Sequence, residues 1–193
     1  AFADIDGDND QDILITGRPL TETGISKLYT NDGSGNYAEV IDTAFDDIGF
    51  SSVAFADVDG DNDQDLLIAG AGINEYSELY VNDSNGNYTL VADTSIPNIT
   101  FGSIAFADID NDSDIDLFVS GNTGVYTTSV ANLYLNNGSG TFTSFSAGLH
   151  AVGQSSISIA DINNDARLSF THIRQHSSCH FHQAKNIYVK LFE

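Results

Sequence analysis

The chain has 193 residues, 28 of them acidic and 6 basic, for a formal net charge of −22. So negative a surface excludes nucleic acid, which is held through Lys and Arg on phosphates, and excludes anionic membranes. The single cysteine, Cys179, excludes an internal disulfide, and no apolar run is long enough to span a bilayer as a helix. Apolar residues make up 41% of the chain and recur regularly, which makes it a folded domain and not a disordered acidic tail. It begins in mid-repeat and contains no Met, and so reads as a piece of a longer protein.

In chain order, the first stretch is AFADIDGDNDQDILITG, Ala1 to Gly17, followed by KLYTN from Lys27 and the turn cluster DGSGN from Asp32. The stretch returns as AFADVDGDNDQDLLIAG from Ala54, with ELYVN from Glu78 and DSNGN from Asp83. It returns again as AFADIDNDSDIDLFVSG from Ala105, with NLYLN from Asn132 and NGSGT from Asn137. The interval is about 52 residues, the mark of a repeat architecture built from one supersecondary unit per copy. Each copy reads as four short strands. In the second these are Ser51–Ala56, Leu66–Ala69, Glu78–Asn82 and Tyr88–Ala92. The continuously apolar second strand is expected to be covered on both faces. A loop of about eight residues separates it from the alternating third strand, and a hairpin turn of Gly and Asn joins the third to the fourth. With no sustained helical period, four strands per repeat predict an all-β fold of four-stranded antiparallel β-propeller blades. The blades are expected at 1–48, 49–100 and 101–153, with a degenerate partial blade at 154–193. That makes about three and a half blades of a larger propeller.

The second copy sets five aspartates on a two-residue beat: Asp57, Asp59, Asp61, Asp63 and Asp65. Each like-charge pair at about 4 Å costs roughly 4 kcal/mol at an effective dielectric near 20, so the loop calls for a cation. Ca²⁺ is the hard cation that accepts six to eight oxygens in flexible geometry. Loop positions 1, 3, 5 and 9 (Asp57, Asp59, Asp61, Asp65) are predicted to offer side chains, and position 7 (Asp63) its backbone carbonyl. The equivalents are Asp4, Asp6, Asp8, Asp10 and Asp12 in the first copy and Asp108, Asp110, Asp112, Asp114 and Asp116 in the third. Gly60 at position 4 permits a tight turn, and Asn62 at position 6 suits a positive φ. An EF-hand shares the D-x-D-x-D opening but needs an acidic residue at position 12, where this chain has Ile15, Ile68 and Val119. About three structural Ca²⁺ ions are expected.

The fourth copy, SIADINNDARLSF from Ser158, keeps Asp161, Asn163 and Asp165 but carries Ala166, Arg167 and Ser169 at positions 6, 7 and 9. It is expected to bind no metal. The tail beyond it holds His172, His176, Cys179, His180 and His182, without the helical setting that a zinc site of i, i+4 histidines needs. No nucleophile and base are framed together, and the remaining carboxylates Glu22, Glu39, Glu75 and Glu78 read as solvated charges, so no catalytic or organic-cofactor site is assigned. Tyr29, Tyr80 and Tyr134 repeat at one strand position and read as packing between blades. Asn82, Asn87, Asn98 and Asn137 lie in N-x-[ST] sequons.

These residues carry a family resemblance. The three Asp loops, Phe101-Gly102, and the looser Gly17-Arg18-Pro19 and Gly70-Ala71-Gly72 resemble the FG-GAP/VCBS repeats of integrin-α-type β-propellers. The resemblance covers about residues 1–165. It implies a propeller, usually seven-bladed, with calcium in the hairpin between the first two strands of a blade. It also implies an extracellular or cell-surface setting and a role in adhesion, with a protein or carbohydrate ligand on a propeller face. The loops Arg18 to Ser26 and Ala71 to Ser77 vary between copies and are expected to carry such contacts. The alternative is part of a propeller-fold enzyme such as a polysaccharide lyase or hydrolase. The open blade edges of a partial propeller are expected to favour self-association.

Overall fold

The computed structural model describes residues 1–21, 24–124, 128–160, 169–174 and 187–189. Among them there is no helix, and the chain runs as four consecutive antiparallel meanders. The first holds β1 (Phe2–Ala3), β2 (Asp12–Gly17), β3 (Ile25–Asn31) and β4 (Tyr37–Glu39). The second holds β5 (Gly49–Ala56), β6 (Asp65–Ala71), β7 (Glu75–Asn82) and β8 (Tyr88–Leu90). The third holds β9 (Thr100–Ala107), β10 (Asp116–Thr123), β11 (Thr128–Asn136) and β12 (Phe142–Phe145). The last has three strands, β13 (Ser155–Ala160), β14 (Ser169–Arg174) and β15 (Ile187–Val189). All-β, propeller-like blades are the architecture.

The core lies between sheets, not within them. Successive side chains of a strand point to opposite faces. Leu66 and Ile68 of β6 therefore pack back on Leu14, Leu28, Phe45 and Ile48 of the first meander, while Leu67 and Ala69 pack forward on Leu117, Val119 and Tyr134 of the third. Phe118 turns the other way, toward Ile157 and Ile159. The continuously apolar second strands β6 and β10 thus have both faces covered, as their sequence predicts. Tyr80 and Tyr134 are buried in these seams, and the Tyr80 hydroxyl donates to Glu78 Oε2 at 2.7 Å, with Ala44 O 3.3 Å away. In the first meander, Phe2 and Ile15 lie on a face that no described sheet covers, and they are 65% and 46% exposed.

Serines stitch adjacent first strands together. Ile104 N donates to Ser52 Oγ at 3.1 Å, and Ile157 N to Ser103 Oγ at 3.3 Å. The second-to-third-strand hairpin is longer than expected. Its ladder continues to the Ala71–Glu75 pair, and Gly72 N closes on Asn74 O at 2.8 Å, so three residues connect β6 and β7 where about eight are expected from sequence. Polar residues such as Glu75 and Ser77 read as loop, but the strand edge keeps their backbone groups paired. At the same end, Phe50 and Phe101 hold left-handed backbone at φ 51° and 49°, beside irregularities in the pairing of β5 with β6 and of β9 with β10. Their rings stack at 4.2 Å, with the Arg18 guanidinium 5.3 Å from the Phe50 ring centre. Gly102 is required after Phe101, because a Cβ there would collide with Ser120 O.

Candidate metal centres

Antiparallel order places each Asp loop, between the first and second strands, at the same end of the sheet as the hairpin joining the third and fourth. The loops are built alike. Position 1 organises the turn. Asp57 Oδ1 accepts from Gly60 N at 2.7 Å, and its Oδ2 from Asn62 N at 3.0 Å. Asp4 makes the same pair with Gly7 and Asn9, and Asp108 with Asn111 and Ser113. Positions 4 and 6 are left-handed in all three copies, with Asn62 at φ 72° as expected and Asn111 taking the place that Gly7 and Gly60 hold elsewhere. Position 5 accepts from the N–H of position 7: Asp10 N to Asp8 at 2.9 Å, Asp63 N to Asp61 at 3.2 Å and Asp114 N to Asp112 at 3.0 Å.

Position 9 does something the sequence reading does not anticipate. Asp12, Asp65 and Asp116 are buried at the start of the second strand. Asp65 Oδ2 accepts from Val58 N at 2.8 Å, and its Oδ1 from Asn82 N at 2.9 Å. Asp12 does the same with Ile5 and Asn31, and Asp116 with Ile109 and Asn136. This carboxylate clasps its own loop to the end of the third strand. The Asn that closes the clasp reaches further. Asn82 Nδ2 donates to Ile5 O at 2.8 Å, in the Asp loop of the preceding meander, and to Gln64 O at 3.3 Å in its own. Asn136 Nδ2 donates likewise to Val58 O at 2.7 Å and Ile115 O at 3.1 Å. The signal was present as the Asn that ends KLYTN, ELYVN and NLYLN, but only the fold gives it a partner. The Asn82 sequon is therefore built into the seam. Replacing Asn136 by Ala should lower the unfolding free energy by about 2–3 kcal/mol, because two carbonyls lose their donor in a buried seam. Asn31, whose Nδ2 reaches only Gln11 O at an exposed site, should cost about 1 kcal/mol or less. Urea unfolding midpoints of the two variants test the difference.

Position 3 is the exception to this satisfaction. Asp6 Oδ1, Asp59 Oδ1 and Asp110 Oδ1 are each buried with no hydrogen-bond partner. Burial first, and neighbouring carboxylates second, push all three carboxyls above their usual range. Asp65 is pushed up to about 6, chiefly by burial and against the pull of its two N–H donors; Asp116 shifts the same way for the same reason. Carboxylate oxygens of Asp4, Asp6 and Asp8, of Asp57, Asp59 and Asp61, and of Asp108, Asp110 and Asp116 lie within 4.8 Å of one another in each group. A buried, unpartnered anionic oxygen in the same place three times, converging with two other carboxylates, fits a hard cation. The chemistry such an ion would supply is charge neutralisation of the loop.

The position-7 side chains lie against the hairpin. A Cβ on Gly33 or Gly138 would strike the carboxylate of Asp10 or Asp114, and Asp63 Oδ2 accepts from Ser84 Oγ at 2.7 Å. Of the carboxylates read as solvated, Glu39 pairs with Lys27 at 2.6 Å, Glu75 Oε2 accepts from Gly124 N at 2.7 Å, and Glu78 accepts from Tyr80. The fourth loop, from Asp161 to Arg167, the histidine-cysteine tail and Glu22 lie outside the residues whose side chains are described.

No curated protein matches the chain. A family model, the FG-GAP-like repeat, matches residues 4–68 and again 57–119, each match beginning on the first aspartate of a loop. Loop, seam and match share one period, and the chain belongs to the FG-GAP-like repeat family.

Proposed function

We propose that this chain is a calcium-stabilised binding module of an extracellular protein, with one structural Ca²⁺ in each of the three described Asp loops and ligand contacts at the opposite ends of the blades. The observation that carries the metal is the orphaned position-3 oxygen, repeated in Asp6, Asp59 and Asp110. Positions 1, 5 and 9 complete an all-oxygen donor set of the kind Ca²⁺ accepts. FG-GAP-like repeats are typical of extracellular proteins, where millimolar calcium makes loops of modest affinity effective. At the opposite ends of the blades, Phe50, Ile73, Glu75 and Phe101 help line a cleft of about 560 Å³, and Leu20 and Ile73 stand exposed. Apolar side chains displayed on loop tips beside a cleft favour recognition of a protein or carbohydrate there.

Calorimetric titration of metal-stripped protein should give about three sites with Ca²⁺ preferred over Mg²⁺, whose demand for near-ideal octahedral geometry suits a flexible carboxylate loop poorly. Fewer than two sites, or equal affinity for Mg²⁺, overturns the metal reading.

A further inference from the structure

The three loops are not equivalent, and the difference lies in the turn beside them. In the first and third meanders the position-7 carboxylate rests on a bare glycine, Gly33 at φ 69° or Gly138 at φ 73°, where a side chain would collide with it. In the second, the same turn position is Ser84, a residue with a Cβ held at φ 64°. Its hydroxyl donates to Asp63 Oδ2 at 2.7 Å. Among the position-7 aspartates, only Asp63 has a buried oxygen, Oδ1, without a partner. The Asp61 carboxylate acts on both Asp59 and Asp63, so the Asp63 carboxylate borders the cluster of Asp57, Asp59 and Asp61 while Ser84 holds its Oδ2.

We propose that Asp63 is a side-chain ligand to the cation of the second loop, positioned by Ser84, and that this loop therefore binds calcium more tightly than the loops on either side. The proposal rests on the calcium reading above. It adds one anionic oxygen to a set whose affinity is tuned by ligand charge, and it gives the strained backbone at Ser84 a use: a glycine would turn as easily but would leave the carboxylate unheld. The central loop is then the first to fill and the last to empty.

The test is competition between a chromogenic chelator and the whole chain, which yields three stepwise constants, for the parent and for Asp63→Asn, Ser84→Gly, Asp10→Asn and Asp114→Asn. Asp63→Asn should weaken the tightest constant about tenfold or more, since it removes a negative charge from the ligand set. Ser84→Gly should weaken the same constant several-fold while leaving the melting temperature of the calcium-free protein unchanged or higher, because glycine relieves the left-handed strain. That pair of results separates lost ligation from lost folding. Asp10→Asn and Asp114→Asn should leave the tightest constant within twofold. Equal effects of the three Asn variants, or an unchanged tightest constant in Ser84→Gly, overturn the assignment while three-site binding still supports the calcium reading. If no calcium binds at all, both fall.

Discussion

Asp65→Ala is expected to lower the unfolding free energy of the calcium-loaded protein by about 4 kcal/mol. The reason is not the metal alone. Asp65 is fully buried and, among the described residues, accepts from Val58 N at 2.8 Å and from Asn82 N at 2.9 Å. Removing it strands two buried donors, each worth roughly 1–3 kcal/mol, and opens the junction of loop, second strand and third strand. Asp59→Ala should behave differently. Asp59 Oδ1 accepts nothing from the protein, so its loss should abolish one calcium site yet leave the chelator-treated protein as stable as the parent, or slightly more so. Denaturant titration of both variants, each in excess calcium and in excess chelator, gives four numbers. The expected pattern is a large loss for Asp65→Ala in calcium and no loss for Asp59→Ala in chelator. Equal losses for the two variants in chelator would show that position 9 is no clasp.

The second large effect is a reversal of pH dependence. In the metal-free protein, burial raises the Asp65 carboxyl to about 6, against about 3.9 for an unfolded aspartate. A carboxyl with a raised folded pKa stabilises the fold in its protonated form, a contribution complete below the unfolded value and lost as pH rises through the folded one. Over a shift of about two units this amounts to roughly 3 kcal/mol by pH 7. It also means that Asp65→Ala should cost less in chelator than in calcium. Asp6, Asp59, Asp110 and Asp116 shift in the same direction and steepen the slope. Asp32 and Asp83 shift the other way, held down by Asn36 and Asn87, and their contribution is lost only as pH falls through their own lowered values. The window between about 4 and 6 therefore belongs to the loops. Chelated protein should be more stable at pH 5 than at pH 7; calcium-saturated protein should be less stable at pH 5, because protons then displace the ion. Asp65→Asn should flatten the chelated curve. Parallel curves with and without calcium would refute the argument.

Much of this was legible before any coordinates. Alternating aspartates between apolar runs mark the loop, because charge spacing and strand register share a two-residue period. Asn62 announces its positive φ, and Leu66 to Ala69 announces two covered faces. What stayed hidden depends on contacts distant in sequence. Asp65 reads as a ligand, and its second role as a clasp is invisible in the sequence because Asn82 N lies 17 residues away. The left-handed backbone of Phe50 and Phe101 has no local signature, since an aromatic residue gains nothing intrinsically from φ > 0; the irregular strand pairing beside it and the ring stack hold it there. The extended β6–β7 hairpin was hidden for a related reason: polar residues such as Glu75 and Ser77 carry the composition of a loop, yet they sit in the ladder.

The Asn bridges also give the molecule a direction in time. Asn82 caps Ile5 O across 77 residues, and Asn136 caps Val58 O across 78, always backward toward the earlier copy. A chain leaves the ribosome N-terminus first. The first and second loops therefore emerge unsealed, and each is closed only by the third strand of the copy that follows it. On a nascent chain these two Asp loops mature one repeat behind synthesis, and a chain cut between the second and third repeats leaves the second loop without its Asn136 cap.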